Sequence, residues 1–356
     1  MASPPQTSPP ADAVPDGGVA PTGRSAAAAG RHDPGLSAAA PPIQWYPGHI
    51  AKAEKALAEQ LDRVDLVLEV RDARIPLATG HPRLQRWIRG RQHLLVLNRL
   101  DMVTPQARQA WTAWFRARDQ SVWWCDARAG SGVRQLQQAA ARAGAALNSR
   151  RVARGMRPRP VRALMLGFPN VGKSALINRL VGQKVVESGR RAGVTRSLRW
   201  VRLGQDLDLL DAPGVLPPRL DDQRAALRLA LCDDIGQAAY DSEAVALAFL
   251  QLLRVLAPDP AAGVAAELLP QRYGVDWPGP ADPAVAGSLA AEAGSGEDDS
   301  GKDNSGKVGG TRELEASRWL QAAAVRHTSG DTVRMAQRLL DDFRRGLLGP
   351  IALELP

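Results

Sequence analysis

Residues Gly167-Phe168-Pro169-Asn170-Val171-Gly172-Lys173-Ser174 follow the spacing GxxxxGK[ST]. The chemistry of that spacing is phosphate binding. Glycines let successive backbone N–H groups point inward around an anion, and the helix that follows adds the positive end of its dipole. Asn170, Val171 and Gly172 are expected to help form the cradle. Lys173 is expected to reach the β- and γ-phosphates, and the Ser174 hydroxyl to ligate Mg²⁺. Asp211-Ala212-Pro213-Gly214 begins 44 residues later (211 − 167), after the apolar run Leu207–Leu210. A carboxylate there approaches the metal through a water, and the Gly214 amide is placed to sense the γ-phosphate. Between the two motifs, Thr195 in Arg191-Ala192-Gly193-Val194-Thr195-Arg196 stands where a switch threonine closes on Mg²⁺ and the γ-phosphate. Lys173 and Thr195 are thus candidates for catalytic roles.

The base is read by other residues. Asn98-Arg99-Leu100-Asp101 follows the apolar run Leu94–Leu97 and is similar to the guanine-reading pattern NKxD. Asp101 would accept hydrogen bonds from N1 and N2 of guanine, donors that adenine does not supply. Arg99 stands in the usual Lys position; it keeps the charge and can stack its planar guanidinium on the base. Asp126-Ala127-Arg128, 28 residues on (126 − 98), fits the loop whose backbone supports the base, with Asp in place of the usual Ser. GTP is therefore the expected substrate. In ordinary GTPases the base-reading motifs follow the phosphate motifs. Here they precede them, at 98 and 126 against 167 and 211. The same sheet results if the original termini are joined and the chain is reopened after DxxG, a circular permutation.

These motifs must be held by strands and helices. Ile50, Ala53, Leu57 and Leu61 predict a helix over 50–61, and Leu66–Val70 a strand. Strands are also expected at Leu94–Leu97, Ser121–Cys125, Ala163–Leu166, 198–203 and 207–210. Helices are expected from an N-cap at Thr104, with Trp111, Trp114 and Phe115 as its core face, over 132–146, and from Lys173. The alternation predicts an α/β fold, a P-loop GTPase domain with a mostly parallel sheet. From Asp221 the pattern turns helical, through Leu253 and again from Glu313 to Leu348. Residues 1–42, nearly all Ala, Pro, Gly, Ser and Asp, show no apolar period and are expected to be a disordered tail. Residues 279–311, rich in Gly, Ser and acids, are expected to be a flexible insertion. The expected organisation is thus tail 1–42, GTPase domain 43–218 and helical domain 219–356.

Composition bounds the class. The 356 residues carry 46 Lys and Arg against 37 Asp and Glu, a net charge of +9 that favours a polyanionic partner. Residues 150–162 hold Arg150, Arg151, Arg154, Arg157, Arg159 and Arg162 without an acid, a candidate contact for an RNA backbone. Lys184, Arg190, Arg191 and Arg196, and then Arg338, Arg344 and Arg345, extend the basic surface. No apolar run approaches the roughly 20 residues needed to span a bilayer. Cys125 and Cys232 are far apart and lack CxxC spacing, which argues against a disulfide framework or a cysteine zinc site and for a reducing cytosol. The expected location is cytoplasmic, or organellar if the tail is a transit peptide, and a monomer is expected.

Three further segments carry a resemblance. Trp45-Tyr46-Pro47-Gly48-His49-Ile50-Ala51-Lys52-Ala53 resembles the WFPGHMxKA segment of the YlqF/RbgA ribosome-assembly GTPases, Val70–Pro76 their DARIP signature, and Asp342–Gly349 their closing DFRxGxLG. The chain is identified from these, and from the permuted motifs, as a member of that family. The resemblance implies GTP hydrolysis coupled to late assembly of the large ribosomal subunit, and a C-terminal helical domain that touches ribosomal RNA. Val215 occupies the place where Ras-like enzymes carry the Gln that orients the attacking water. The resemblance assigns that task to His49. By analogy with potassium-dependent GTPases, Asn170 is expected to be a K⁺ ligand. The alternative is a guanine-nucleotide-binding RNA scaffold with negligible hydrolysis.

Overall fold

The computed structural model describes residues 42–44, 55, 57–186, 198–217, 219–277 and 305–356, with side chains of the last segment from Leu314 onward. The tail 1–41, His49, Thr195, most of the helix expected over 50–61, and the insertion up to residue 304 lie outside the described residues.

Six strands form one sheet: β1 (Leu66–Asp72), β2 (Gln92–Asn98), β3 (Val122–Cys125), β4 (Val161–Leu166), β5 (Arg199–Leu203) and β6 (Leu207–Asp211), in the order β3-β2-β1-β4-β6-β5. All neighbours run parallel except β5, which is antiparallel to β6 at the edge. Every residue of β1 is buried, as expected of a central parallel strand covered on both faces. Pairing aligns Asp72 with Asn98, Asn98 with Cys125, and Met165 with Asp211. The motif residues therefore collect at the carboxyl ends of adjacent strands, where open α/β sheets bind ligands. Phosphate motifs sit on β4 and β6 and base motifs on β2 and β3, with β1 between.

Helices α1 (Leu84–Ile88), α2 (Pro105–Arg116), α3 (Val133–Val152) and α4 (Lys173–Val181) accompany the strands. Thr104 caps α2 as expected, its hydroxyl oxygen accepting from the Ala107 N–H at 3.0 Å. Trp111 and Phe115 of α2 are buried. Helix α3 runs six residues beyond the expected end at 146. Its C-terminal turn and the loop after it carry part of the basic run; Arg150, Arg154 and Arg157 are exposed. Arg159 instead forms a bidentate ion pair with Asp65, at 2.7 and 2.9 Å.

The remaining helices are α5 (Gln223–Cys232), α6 (Ser242–Leu256), α7 (Leu268–Tyr273), α8 (Ser305–His327) and α9 (Thr332–Arg344). Asp222, Asp241 and Asp331 cap α5, α6 and α9. Helix α8 corrects the expected insertion boundary: it begins at Ser305, not near 313. Elongating an existing helix is far easier than nucleating one, so the amphipathic run Ala316, Trp319, Leu320, Ala323, Ala324 can extend upstream through polar sequence.

The closing motif is structural. Asp342 accepts from Tyr273 Oη at 2.8 Å and Arg272 Nε at 3.0 Å, and Phe343 packs on Phe249 with ring centroids 4.8 Å apart. Buried Arg344 donates to the carbonyls of Ala230 and Leu231 and to the Tyr240 hydroxyl. It is therefore not part of a basic surface, unlike the exposed Arg338 and Arg345. The apolar core is continuous from sheet to helices. The last residues return to the sheet: Leu353 and Glu354 N–H groups donate to the Arg74 carbonyl, and the Glu354 carboxylate receives the N–H groups of Leu77 and Ala78. Cys125 and Cys232 are buried free thiols.

Candidate nucleotide-binding site

Strand β4 ends at Leu166; Gly167 follows it with φ 158°, and the loop reaches α4 through Asn170 (φ 57°) and Gly172 (φ 97°), both in the left-handed region. Gly172 has a second constraint, for an added Cβ would lie 2.2 Å from the Asn98 amide nitrogen. Lys173, first residue of α4, is buried and donates to the carbonyls of Phe168 at 2.7 Å and Gly167 at 3.1 Å. Burial lowers its pKa to about 8, opposed by Asp211 and Asp234. The ammonium is thus a strongly desolvated cation at the loop, and in low-dielectric surroundings it acts on a nearby anion with little screening. Ser174 follows on the first turn of α4, half-buried.

Asp211, the last residue of β6, is 1% exposed, and its Oδ1 is buried without a hydrogen-bond partner among the described residues. Burial pushes its pKa up to about 6, against Lys173 and Arg199. An orphaned buried carboxylate oxygen beside a lysine and a helix-start serine fits a Mg²⁺ site. Mg²⁺ takes most of its ligands from nucleotide and water, so few protein oxygens suffice. Gly214 lies against the loop: a Cβ there would meet Pro169 at 2.5 Å, and the next N–H, Val215, donates to the Gly167 carbonyl at 3.2 Å. The Val215 side chain is buried, so it presents nothing to an attacking water.

Asn98 bridges the two halves of the site. Its Nδ2 donates to the Val171 carbonyl at 2.8 Å, and its Oδ1 accepts from the Ala127 N–H at 3.0 Å. Arg99, in the left-handed region at φ 66°, donates from Nη2 to the Asn170 carbonyl at 2.7 Å, and its Nε lies 3.0 Å from Asp72 Oδ2. Asp101 is exposed in the turn that follows. Partial burial and then Asp126 raise its pKa. Asp126 accounts for its own departure from Ser: Oδ1 accepts from the N–H groups of Arg128 at 2.7 Å and Ala129 at 3.0 Å, shaping the loop from within. Arg128 is exposed, and its carbonyl and that of Ala127 accept from Arg179 of α4. Asn98, Arg99, Asp126, Ala127, Asn170, Val171 and Gly172 are thus drawn into one network, with Asp101 and Arg128 at its rim.

Other participants escaped the motif reading. Asp72 receives two bonds at Oδ1 and one at Oδ2 from Arg74, whose Nη2 also donates to the Cys232 carbonyl and whose guanidinium faces the Phe343 ring at 5.2 Å. Burial opposes ionisation of Asp72, but Arg74 and Arg99 hold its carboxyl below the usual range. Asp234, after α5, is fully buried with both oxygens unpartnered among the described residues; burial and Asp72 raise its pKa well above normal. Next to it, the Asp233 carbonyl accepts from Asn170 Nδ2 at 2.6 Å. The DARIP signature pointed to Asp72 and Arg74 without a role. Asp234 has no local signal, since only the tertiary fold brings α5 to the loop.

A family model described as a 50S ribosome-binding GTPase matches residues 162–253. A ribosome biogenesis GTPase A from Bacillus cereus is 37% identical over 217 residues, covering 61% of this chain and 73% of its own. One from Priestia megaterium is 35% identical over 235 residues, covering 66% and 79%. The Arabidopsis thaliana protein Short integuments 2, mitochondrial, is 33% identical over 226 residues, covering 60% and 57%. The GDP-bound structure of TM YlqF superposes with a TM-score of 0.50 at 18% identity, covering 84% of this chain and 98% of that one, a likeness of fold.

The Asp211 environment makes a signed prediction. Its folded pKa, about 6, exceeds the ordinary 3.8, so the native state loses stability relative to the unfolded chain as pH rises from about 4 to 6. With nucleotide and Mg²⁺ absent, Asp211→Asn should raise unfolding free energy at pH 7 by roughly 1–3 kcal/mol and change it little at pH 4. Urea titrations at both values measure this. A difference independent of pH would refute the assigned environment.

Proposed function

The chain belongs to the ribosome biogenesis GTPase A family, and from that premise we propose that it is a GTP-hydrolysing assembly factor that acts in late maturation of the large ribosomal subunit and is stimulated by that subunit. The observation that carries the reading is the Asn98 bridge. A guanine-type NxxD loop and a P-loop are tied together by one carboxamide, in the permuted order of a GTPase.

In this reading, residues 43–218 form the GTPase domain and 219–356 the helical ribosome-binding domain. Asp101 reads the base, Asn98 and Arg99 align its loop, and the backbone of Asp126, Ala127 and Arg128 supports it. Asn170, Val171, Gly172 and Lys173 hold the phosphates. Mg²⁺, when bound, would offset charge on the phosphate oxygens, and Ser174, Thr195 and Asp211 would hold it, Asp211 through a water. Asn170 would hold K⁺, provided its side chain leaves Asp233. Thr195 and Gly214 respond to the γ-phosphate, and His49 orients the attacking water in place of the buried Val215. The Gly214 segment leads through Pro217 and Pro218 into α5, whose end contacts Asn170 and Arg74. Loss of the γ-phosphate thereby reaches the helical half.

Positive charge supports an RNA partner: no acidic residue occurs from 127 to 186, and Arg150, Arg154 and Arg157 project from the end of α3. Arg338 and Arg345 add charge on the helical side. No helix among the described residues is long and apolar enough to cross a membrane. A cytoplasmic monomer is the preferred state; the mitochondrial relative favours testing organellar import of the tail. The second reading, a nucleotide-binding scaffold with negligible hydrolysis, is favoured by the buried Val215 alone.

Sedimentation of the full chain with large subunits should show stronger binding with a GTP analogue than with GDP. Equal binding in both states would contradict the switch. Turnover in the same mixtures should rise severalfold with subunits, fall in His49→Ala with GTP affinity retained, and be faster in K⁺ than in Na⁺. Unstimulated turnover would favour the scaffold. Full activity of His49→Ala, or equal rates in the two salts, would remove His49 or K⁺ from the mechanism.

A further inference from the structure

The last four carbonyls of a helix have no partner within it. At the end of α5 each of them is taken. Leu229 and Ala230 accept from the N–H groups of Asp234 at 2.9 Å and Asp233 at 3.2 Å, with Asp233 in the left-handed region at φ 64°. Side chains from three other parts of the fold reach the same turn. Arg344 of α9 donates from Nη2 to the Ala230 carbonyl at 2.8 Å and from Nε to that of Leu231 at 3.1 Å. Arg74, in the turn after β1, donates to the Cys232 carbonyl at 3.2 Å. Asn170 of the P-loop donates to the next carbonyl along, Asp233, at 2.6 Å. One turn of backbone thus joins the closing helix to the P-loop.

Arg344 is buried. Its Nη2 also donates to the Tyr240 hydroxyl at 2.6 Å and its Nη1 lies 3.7 Å from Asp341 Oδ1, which fixes the plane of the guanidinium. A planar fork matches two adjacent carbonyls in a way that a lysine ammonium does not. At the other end of the connection Asn170 has φ 57°, a conformation that a residue other than glycine keeps where its surroundings hold it. Arg99 donates to its carbonyl at 2.7 Å, and its own amide donates to Asp233. Val171 and Gly172 follow directly in the loop. A shift of the last turn of α5 therefore moves an anchor of the backbone that faces the phosphates.

We propose that Arg344 is a positioning residue for the P-loop: by fixing the last turn of α5 it holds Asn170, so that the helical half sets how fast bound nucleotide leaves. This role rests on the reading of residues 167–174 as the phosphate-binding loop. Such a loop holds phosphates that GDP and GTP share, so the effect falls on release of either nucleotide.

Release of a fluorescent GDP derivative from the full chain, followed after mixing with excess GDP, tests the role. Arg344→Met keeps the length and apolar stem but donates nothing. Asn170→Gly removes the amide and accepts φ 57° without strain. Each should release about tenfold faster than the native chain, the weight of one net hydrogen bond. The double variant should be no faster than Asn170→Gly alone, because residues that act through one another are not additive. Arg344→Lys should lie between the native chain and Arg344→Met, and takes its place in the cycle if Arg344→Met does not fold. A residue that only stabilised the helices would speed release by the same factor with or without Asn170→Gly. That outcome overturns the proposal, as does native release in Arg344→Met while Lys173→Ala releases fast. Native release in Lys173→Ala itself would mean that the phosphate-site reading has failed, and the role of Arg344 with it.

Discussion

One carboxamide holds the site in register. Asn98 gives its N–H to the Val171 carbonyl of the P-loop and takes the N–H of Ala127 from the Asp126–Arg128 loop. These three loops belong to different strands, and the two that Asn98 joins to its own are separated from it by 73 and 29 residues. No covalent connection fixes their spacing, so the side chain at the end of β2 must do so. Gly172 shows how close the joint is, since any side chain there would overlap the Asn98 amide. A ligand with a base at one end and phosphates at the other requires such a spacer to be rigid before binding, because ordering it afterward would cost affinity.

From this joint a chain of buried charge runs outward. Arg99 links the Asn170 carbonyl to Asp72, Asp72 binds Arg74, and Arg74 reaches the end of α5 and the face of Phe343. Breaking such a buried pair on one side typically costs about 3–5 kcal/mol, because the partner is left charged and dry. The arrangement therefore resists the loss of any one member. It gives the helical half a direct footing on the nucleotide loops, reinforced where the chain terminus returns to the DARIP turn through Leu353 and Glu354.

Local patterns revealed the sheet well. The period-free apolar runs of β1, β2 and β4, the cap at Thr104 and the glycines of the P-loop each follow from short-range rules, and motif order alone specified the permutation. Boundaries were weaker: α3 outran its apolar pattern, and α8 began within sequence that reads as linker. Function of buried charge was weakest. Arg344 looks like surface charge in a basic helix, yet the fold turns it inward to carbonyls of α5. Asp234 is ordinary in sequence and becomes informative only when buried atoms without partners can be identified. Charge in sequence gives composition; its direction comes from packing.

The most direct test of the Asn98 joint is nucleotide affinity in Asn98→Ala, measured by titration with fluorescent GTP and GDP derivatives. Two buried hydrogen bonds at roughly 1–3 kcal/mol each predict at least a tenfold loss for both nucleotides, since the joint aligns base and phosphates alike. Native affinity for both in a folded Asn98→Ala chain would show that the loops keep their register without it, and would contradict the account.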